Sequence, residues 1–193
     1  MATVPLEYVR VYDNILPQNF CDHLIHLIKN SWDKEVVQND GRPNFTQLNV
    51  NQHDPDLVAP LVRYAMLVAE KYGDDLPFFN HWAPPVSGME EFRVKYYNGG
   101  SGDRFDDHVD VGDITSCKRY LAMLFYLNDD FTGGETTFLD YNPDTHGEYQ
   151  DLYDIQPKTG SVMVFPPMWM FPHAGRPVID GTKYIMSTYL NYT

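Results

Sequence analysis

Two stretches in the first half of the chain carry apolar residues at helical spacing. Phe20, Leu24, Leu27 and Ile28 follow Pro17, and Leu61, Tyr64, Ala65, Val68 and Ala69 follow Asp54-Pro55. Each set falls on one face of a helix, and Pro60 sets where the second helix starts or kinks. From about residue 90 the pattern changes to short runs rich in β-branched and aromatic residues, at 92–97, 120–127, 136–139, 161–165 and 184–190. Between them stand Asn98-Gly99-Gly100-Ser101-Gly102, Asn128-Asp129-Asp130, Gly133-Gly134 and Asn142-Pro143-Asp144, all turn formers. This order predicts helices packed on one face of an antiparallel sheet or barrel, in a mostly β chain of α+β type. No repeat or linker divides the 193 residues, so a single domain is expected.

Composition adds that the chain folds and narrows what it binds. It is 43% hydrophobic and 15% aromatic, enough to offset the chain entropy lost on folding. Fourteen Lys and Arg against 27 Asp and Glu give a net charge of -13, which argues against nucleic acid as a partner. The two cysteines, Cys21 in a predicted helix and Cys117 ahead of a strand, form neither a disulfide framework nor a zinc site. The opening MATVPLEYVRVYDN has no basic region followed by an apolar run, and no stretch approaches a membrane span. A soluble, cytoplasmic protein with no membrane partner is the expectation; oligomeric state is not legible.

The chemistry starts at His108-Val109-Asp110. On an extended segment residues i and i+2 point to one side, so an imidazole and a carboxylate converge. Seven histidines and twenty aspartates give roughly 0.7 such pairs by chance, so the pair alone carries little. His173 adds weight, in Pro-His-Ala-Gly-Arg-Pro-Val after the aromatic and Met-rich 165–171 segment, and Lys183 lies ten residues beyond. Two imidazoles and a carboxylate on one face of iron leave positions open for a bidentate cosubstrate and dioxygen, and a separate basic residue suits the cosubstrate's distal carboxylate.

In RVKYYNGGSGDRFDDHVDV, RYLAMLFYLNDDFTGGETTF, IQPKTGSVMVFPP and PHAGRPVIDGTKYIMSTYLNY the chain resembles the Fe(II)- and 2-oxoglutarate-dependent dioxygenases, within them the prolyl 4-hydroxylase-like branch. YVRVYDNILPQNFCDHLIHLI looks like that family's lead-in strand and first helix. The resemblance implies a double-stranded β-helix (a jelly-roll, cupin-like barrel) with N-terminal helices on one sheet. Residues 1–87 would supply the strand and supporting helices and 88–193 the catalytic barrel. It implies His108, Asp110 and His173 as iron ligands and Lys183 as the partner of the 2-oxoglutarate C5 carboxylate. Tyr97 and Tyr126 would be hydroxyl donors on the cosubstrate side. Period-2 alternation adds Ser187, on one strand face with Lys183 and Ile185.

The activity implied is hydroxylation of a peptidyl proline, with Fe(II), 2-oxoglutarate and O2, release of succinate and CO2, and ascorbate as a candidate reductant. The partner would be a proline-containing peptide or protein. The alternatives are an oxygenase acting on another residue or a small molecule, a barrel that binds metal or ligand without turnover, and a zinc hydrolase that gives Lys183 no role. Two features depart from the family: Phe105 stands where a tyrosine is common three residues before the first histidine, and the 99–104 loop is one or two residues longer than the family pattern. Lys rather than Arg at 183 resembles the collagen-type and microbial enzymes.

Other residues have bland readings beside sharper ones. Lys158 reads as loop. His23, His26, His53 and His81 read as solvent-side histidines rather than a metal site, and His146 as loop decoration. Trp169, Met170 and Phe171 line a substrate mouth or pack a core. Asp103, Asp106, Asp107 and Asp113 select a cationic substrate or form a solvated run. Arg176 contacts cosubstrate or substrate, or faces solvent.

Overall fold

The structure is a computed structural model that describes residues 4–38, 44–83, 88–141 and 149–192. The Asn142-Pro143-Asp144 turn and His146 lie outside the described residues. The first half runs β1 (Arg10–Tyr12), α1 (Gln18–Asn30), β2 (Glu35–Gln38), β3 (Asn44–Asn49), the single turn α2 (Val50–His53), α3 (Val58–Asp75) and α4 (Pro77–Trp82). Of the predicted stripes, α1 buries Leu24 and Ile28 and α3 buries Leu61, Ala65, Val68 and Ala69, while Phe20, Leu27 and Tyr64 are partly buried against the same core and Cys21 joins it. Pro60 is the third residue of α3, where a backbone N–H has no acceptor within the helix, so it marks the start of the helix without kinking it.

The second half runs β4 (Gly88–Met89), β5 (Arg93–Asn98), β6 (Phe105–His108), β7 (Arg119–Tyr126), β8 (Thr132–Gly133), β9 (Thr136–Tyr141) and β10 (Tyr149–Ile155). Then come β11 (Val162–Phe165), β12 (His173–Gly175), β13 (Val178–Asp180) and β14 (Thr182–Asn191). The large sheet is ordered β1-β11-β7-β14-β5-β3-β2, with β4 beside β14. The small sheet is ordered β10-β9-β12-β6, and β8 pairs with β13. From β5 onward the chain passes back and forth between the two sheets, so neighbours within a sheet come from distant parts of the sequence. That is the strand order of a double-stranded β-helix. The first half gives more to the sheet than the lead-in strand: β3 pairs with β5 and carries β2 at the edge.

Alternation along the strands divides the core in two. Leu121, Met123 and Phe125 of β7 and Met186 of β14 pack with α1 and α3 residues such as Leu24, Ile28, Leu61 and Val68. Ala122 and Tyr126 of β7 and Ile185 of β14 face the other way and meet Phe138, Met163 and Phe165 between the sheets. The helices thus stiffen the outer face of the large sheet while its inner face forms one wall of the barrel interior.

One turn ties these layers together. The Gly160 carbonyl accepts hydrogen bonds from the Ile15 and Leu16 N–H groups at 2.9 and 3.0 Å, fixing the entry to α1 against the turn before β11. Gly160 has φ +77°, and a Cβ there would lie 2.3 Å from the Leu16 carbonyl oxygen. Gly100 has a similar φ of +71° with nothing within 4 Å of a Cβ. Gly100→Ala should cost about 1 to 2 kcal/mol for its left-handed backbone alone, and Gly160→Ala clearly more because backbone has to move. Urea unfolding of both variants reads the difference, and equal losses would contradict this packing.

Candidate functional site

Strands β6 and β12 are neighbours in the small sheet, and their register sets His108 directly opposite His173. Gly175 pairs with Phe105, so three steps along β6 match two along β12. This bulge turns Phe105 and His108, three residues apart, toward the same cavity. The Phe105 ring stacks on His108 at 3.6 Å with an interplanar angle of 8°, while Phe165 meets His173 edge-on at 4.9 Å. Both imidazoles are therefore held by packing.

Asp110 lies in the bend past the end of β6, not on the strand itself. It still reaches the same point. His108 Nε2 is 3.6 Å from one Asp110 oxygen and His173 Nε2 is 3.8 Å from the other. One donor atom from each of the three residues lies within 4.8 Å of the rest, the one such group found among the described residues. Tyr189, on β14, donates its hydroxyl to Asp110 Oδ1 at 2.9 Å. Arg119 donates to the Asp110 carbonyl at 2.9 Å, lies 3.9 Å over the Tyr189 ring and is gripped by both Glu90 oxygens at 2.7 and 2.9 Å.

The protonation pattern suits a metal. His108 Nδ1 faces the Asp106 carbonyl at 2.8 Å and His173 Nδ1 faces the Phe171 carbonyl at 3.0 Å. A carbonyl only accepts, so Nδ1 carries the proton in each ring and Nε2 keeps its lone pair toward Asp110. Burial pushes His173 down to about 4 against the pull of the Asp110 carboxylate, so its ring is neutral at pH 7. Burial pushes the Asp110 carboxyl up, but the two histidines and the Tyr189 hydroxyl outweigh it and hold the group well below the usual carboxylate range. Two imidazole nitrogens and one anionic oxygen, too far apart for direct hydrogen bonds, fit a shared divalent cation, with iron among those that favour this set.

The cavity beside these donors continues to Lys183, past Tyr97, Thr136 and Ser187. Lys183 is 3% exposed. Its ammonium donates to the Gly134 carbonyl at 2.6 Å and makes no ion pair with any described residue. Burial pushes its pKa down to about 7, opposed by Glu135. Tyr97 pairs with Lys183 across β5 and β14, and its ring lies 5.7 Å from the ammonium. Tyr126 is also close, 5.8 Å by its ring, but its hydroxyl donates to Thr136 Oγ1 at 2.9 Å, and it is Thr136 that lines the cavity. A buried ammonium with one carbonyl and two aromatic rings around it, and no carboxylate among its described partners, fits a ligand that ends in a carboxylate.

Sequence reasoning missed Tyr189, Arg119, Thr136 and Lys95 at this site. Tyr189 continues the alternate face that runs through Lys183, Ile185 and Ser187, and Lys95 stands two residues before Tyr97, so alternation would have found both. The other expectations resolve locally. Arg176 pairs with Asp107 at 3.3 Å and with Asp151, outside the cavity. Asp106 pairs with Arg104, Asp113 caps Thr115 and Ser116, and Asp103 accepts from the Asn98 N–H. Trp169 is exposed and Phe171 is core. Lys158 pairs with Asp13, His26 with Asn30 and His53 with Asp33, and His81 meets Trp82 edge-on. Cys21 and Cys117 are both free thiols. No helix among the described residues is long and apolar enough to cross a membrane.

A family model described as the 2OG-Fe(II) oxygenase superfamily matches residues 92–191. Prolyl 4-hydroxylase 5 of Arabidopsis thaliana is 25% identical over 199 residues, covering 90% of this chain and 65% of that one. A protein of Acanthamoeba polyphaga mimivirus that carries a prolyl 4-hydroxylase name is 24% identical over 188 residues, covering 91% and 70%. The chain thus spans less than two thirds of the Arabidopsis relative. Among solved structures, a prolyl hydroxylase of Trichoplax adhaerens in complex with a hypoxia inducible factor oxygen degradation domain peptide fragment matches with a TM-score of 0.71 at 16% identity, covering 96% of this chain and 84% of that one. The viral collagen prolyl hydroxylase of Paramecium Bursaria Chlorella virus-1, in its 2OG complex, matches with a TM-score of 0.67 at 20% identity, covering 96% and 97%. These structural likenesses show the double-stranded β-helix.

Tyr189→Phe removes only the hydroxyl that holds Asp110. Fe(II) affinity should fall roughly 10- to 100-fold, as is usual when a partner of a metal ligand is lost, with the fold retained. Competition against a metal chelator measures it, and an unchanged affinity would show that Asp110 needs no such support.

Proposed function

The chain belongs to the 2OG-Fe(II) oxygenase superfamily, and from that premise we propose that it hydroxylates a proline in a peptide or protein substrate, using 2-oxoglutarate as cosubstrate and releasing succinate and CO2. The observation that carries the reading is the lone buried ammonium of Lys183 at one end of a cavity whose other end holds His108, Asp110 and His173. A zinc hydrolase built on the same three donors has no use for that cation. The choice of proline rests on the relatives named above.

In this reading His108, Asp110 and His173 would hold Fe(II) beside the cavity that they line. The bound iron supplies dioxygen activation coupled to oxidative decarboxylation of 2-oxoglutarate, so one oxygen atom enters succinate and the other the substrate hydroxyl. Lys183 binds the C5 carboxylate, with the hydroxyls of Tyr97, Thr136 and Ser187 as further donors and Tyr126 orienting Thr136. Ala122, Leu124, Phe165 and Ile185 exclude water along the cavity, which strengthens the Lys183 pairing. Ascorbate would keep the iron ferrous.

Incubation of the Fe(II)-loaded protein with 2-oxoglutarate and proline-rich peptides should add one oxygen atom, about 16 Da, to a peptide. Succinate release with no peptide gain would move the substrate to another residue or a small molecule. Loss of 2-oxoglutarate turnover is expected in His108→Ala and Asp110→Ala, and undiminished turnover in either would rule out this ligand set.

Lys183→Ala should raise the 2-oxoglutarate requirement at least about tenfold, since a charge-assisted pair is worth on the order of 1.5 to 3 kcal/mol. The depressed lysine adds a pH signature. The ammonium is the form that binds a carboxylate, so a group near 7 is charged below that pH and has to take up a proton above it. Around it stand Glu135, which favours the charged form, and Tyr97 and Tyr126, neutral phenols whose pKa values burial raises. Binding of 2-oxoglutarate should therefore weaken about fivefold from pH 7 to pH 8, with uptake rising from about half a proton at pH 7 to about nine-tenths at pH 8. Calorimetry in buffers of different ionisation enthalpy reads the proton count, and binding without proton uptake would place the anchor elsewhere.

A further inference from the structure

Lys95 lies on the same face of β5 as Tyr97 and stands opposite Ile185, as Tyr97 stands opposite Lys183. It is half-buried, its ammonium 5.0 Å from the centre of the Phe45 ring, and it has no hydrogen bond or ion pair with any described residue. It lines the cavity that runs from Lys183 to the three metal-binding side chains. It also lines the adjoining recess beyond them, walled by Phe45, Glu90, Arg93, Val109 and Arg119.

The other cations of that recess are committed: Arg93 pairs with Glu91 at 2.9 Å and Arg119 with Glu90 at 2.7 Å. Lys95 alone there has no carboxylate within pairing distance. Burial lowers its pKa to about 8, with Asp110 the strongest pull back toward the charged form. A partly desolvated ammonium without a counter-ion is unfavourable unless a ligand supplies one. Lys183 meets that condition with the cosubstrate. Lys95, at the junction with the outer recess, meets it with whatever enters from outside.

We propose that Lys95 determines specificity by pairing with a carboxylate carried next to the residue to be hydroxylated, so that the preferred substrate is an acidic peptide. This rests on the reading above, in which 2-oxoglutarate fills the Lys183 end and leaves the recess to the substrate. With a net charge of -13 the protein repels such a peptide at long range. Any preference for it therefore has to arise locally and should disappear with Lys95. The rival occupant is the C1 carboxylate of 2-oxoglutarate itself.

The test uses the whole protein with Fe(II) and 2-oxoglutarate without oxygen, so that nothing turns over. Three fluorescent peptides carry one proline followed by Glu, Gln or Lys, and anisotropy reads their binding. The Glu peptide should bind about tenfold or more tightly than the Gln peptide, a gap of on the order of 1.4 kcal/mol. Lys95→Met should bring the Glu peptide down to the Gln level while leaving the Gln peptide and the 2-oxoglutarate requirement within about twofold, and Lys95→Arg should restore the gap. Equal or absent binding of the Glu and Gln peptides by the unaltered protein would overturn the proposal. So would discrimination that survives Lys95→Met, or a Lys95→Met effect confined to the 2-oxoglutarate requirement. Failure of the unaltered protein to bind 2-oxoglutarate would instead count against the oxygenase reading, and the two failures are read separately.

Discussion

The cross-strand pairing of His108 with His173 is the constraint on which the site depends. Side chains alternate along a strand, so slipping β12 by one residue against β6 would turn His173 out of the cavity and bring in a neighbour with no donor. The register is held from both sides, because β12 also pairs with β9, where His173 stands opposite Phe138 and Ala174 opposite Thr137. The bulge on β6 adds a second lock. It lets Phe105 and His108 share a face, and the stacked ring of Phe105 then limits how His108 can turn. Phe105 is thus an apolar brace laid flat on the His108 ring.

Charge is distributed to the same end. The chain keeps its net charge of -13, but around the site four acidic groups are paired with arginines, Arg104 with Asp106, Arg176 with Asp107, Arg119 with Glu90 and Arg93 with Glu91. Exposed pairs of this kind add little stability, but they leave no mobile cation near the cavity to compete for an anion. The two lysines that line the cavity, Lys183 and Lys95, make no ion pair with any described residue, and both lie on inward faces of adjacent strands. Lys183 is held by the Gly134 carbonyl, and Gly134 itself sits at φ +71°, where a Cβ would come 3.2 Å from the lysine's Cδ. A glycine there lets the carbonyl approach the ammonium without displacing its stem.

Legibility of the fold in the sequence followed burial. Strands β7 and β14 are buried on both faces, between helices and barrel interior, and their apolar runs announced them. Strand β10 is an edge with six of its seven residues at least partly exposed, and no apolar pattern marks it. Strand β2 is likewise an edge, with Val36 71% exposed. Among the site residues, His108, Asp110, His173 and Lys183 stood out by type and order, and the structure brings them to one cavity. Asp110 gets there by a route the spacing argument did not contain. The strand stops at His108, and the carboxylate is aimed by Tyr189 and Arg119 rather than by strand alternation. Arg119 could not be read in advance, because its role is to a main-chain oxygen and depends on tertiary approach alone.

The assignment of side chains to sheets couples the chemistry to closure of the barrel. His108 and His173 belong to the small sheet, while Lys183, Ser187, Tyr97 and Lys95 belong to the large one. The Tyr189 hydroxyl on Asp110 is a direct link across the gap, from the large sheet to the bend that leaves the small one. Neither sheet alone contains both a metal-binding face and a carboxylate anchor, so an ion and a dicarboxylate bound together would draw the sheets toward one spacing. The helices on the outer face of the large sheet make that spacing reproducible, since the inner face can shift only if the packing of Leu24, Ile28, Leu61 and Val68 against Phe125 and Met186 shifts with it. The helices thus serve a cavity that they do not line. An active site shared by two sheets needs one of them to be rigid, and a sheet with a solvated back would not be.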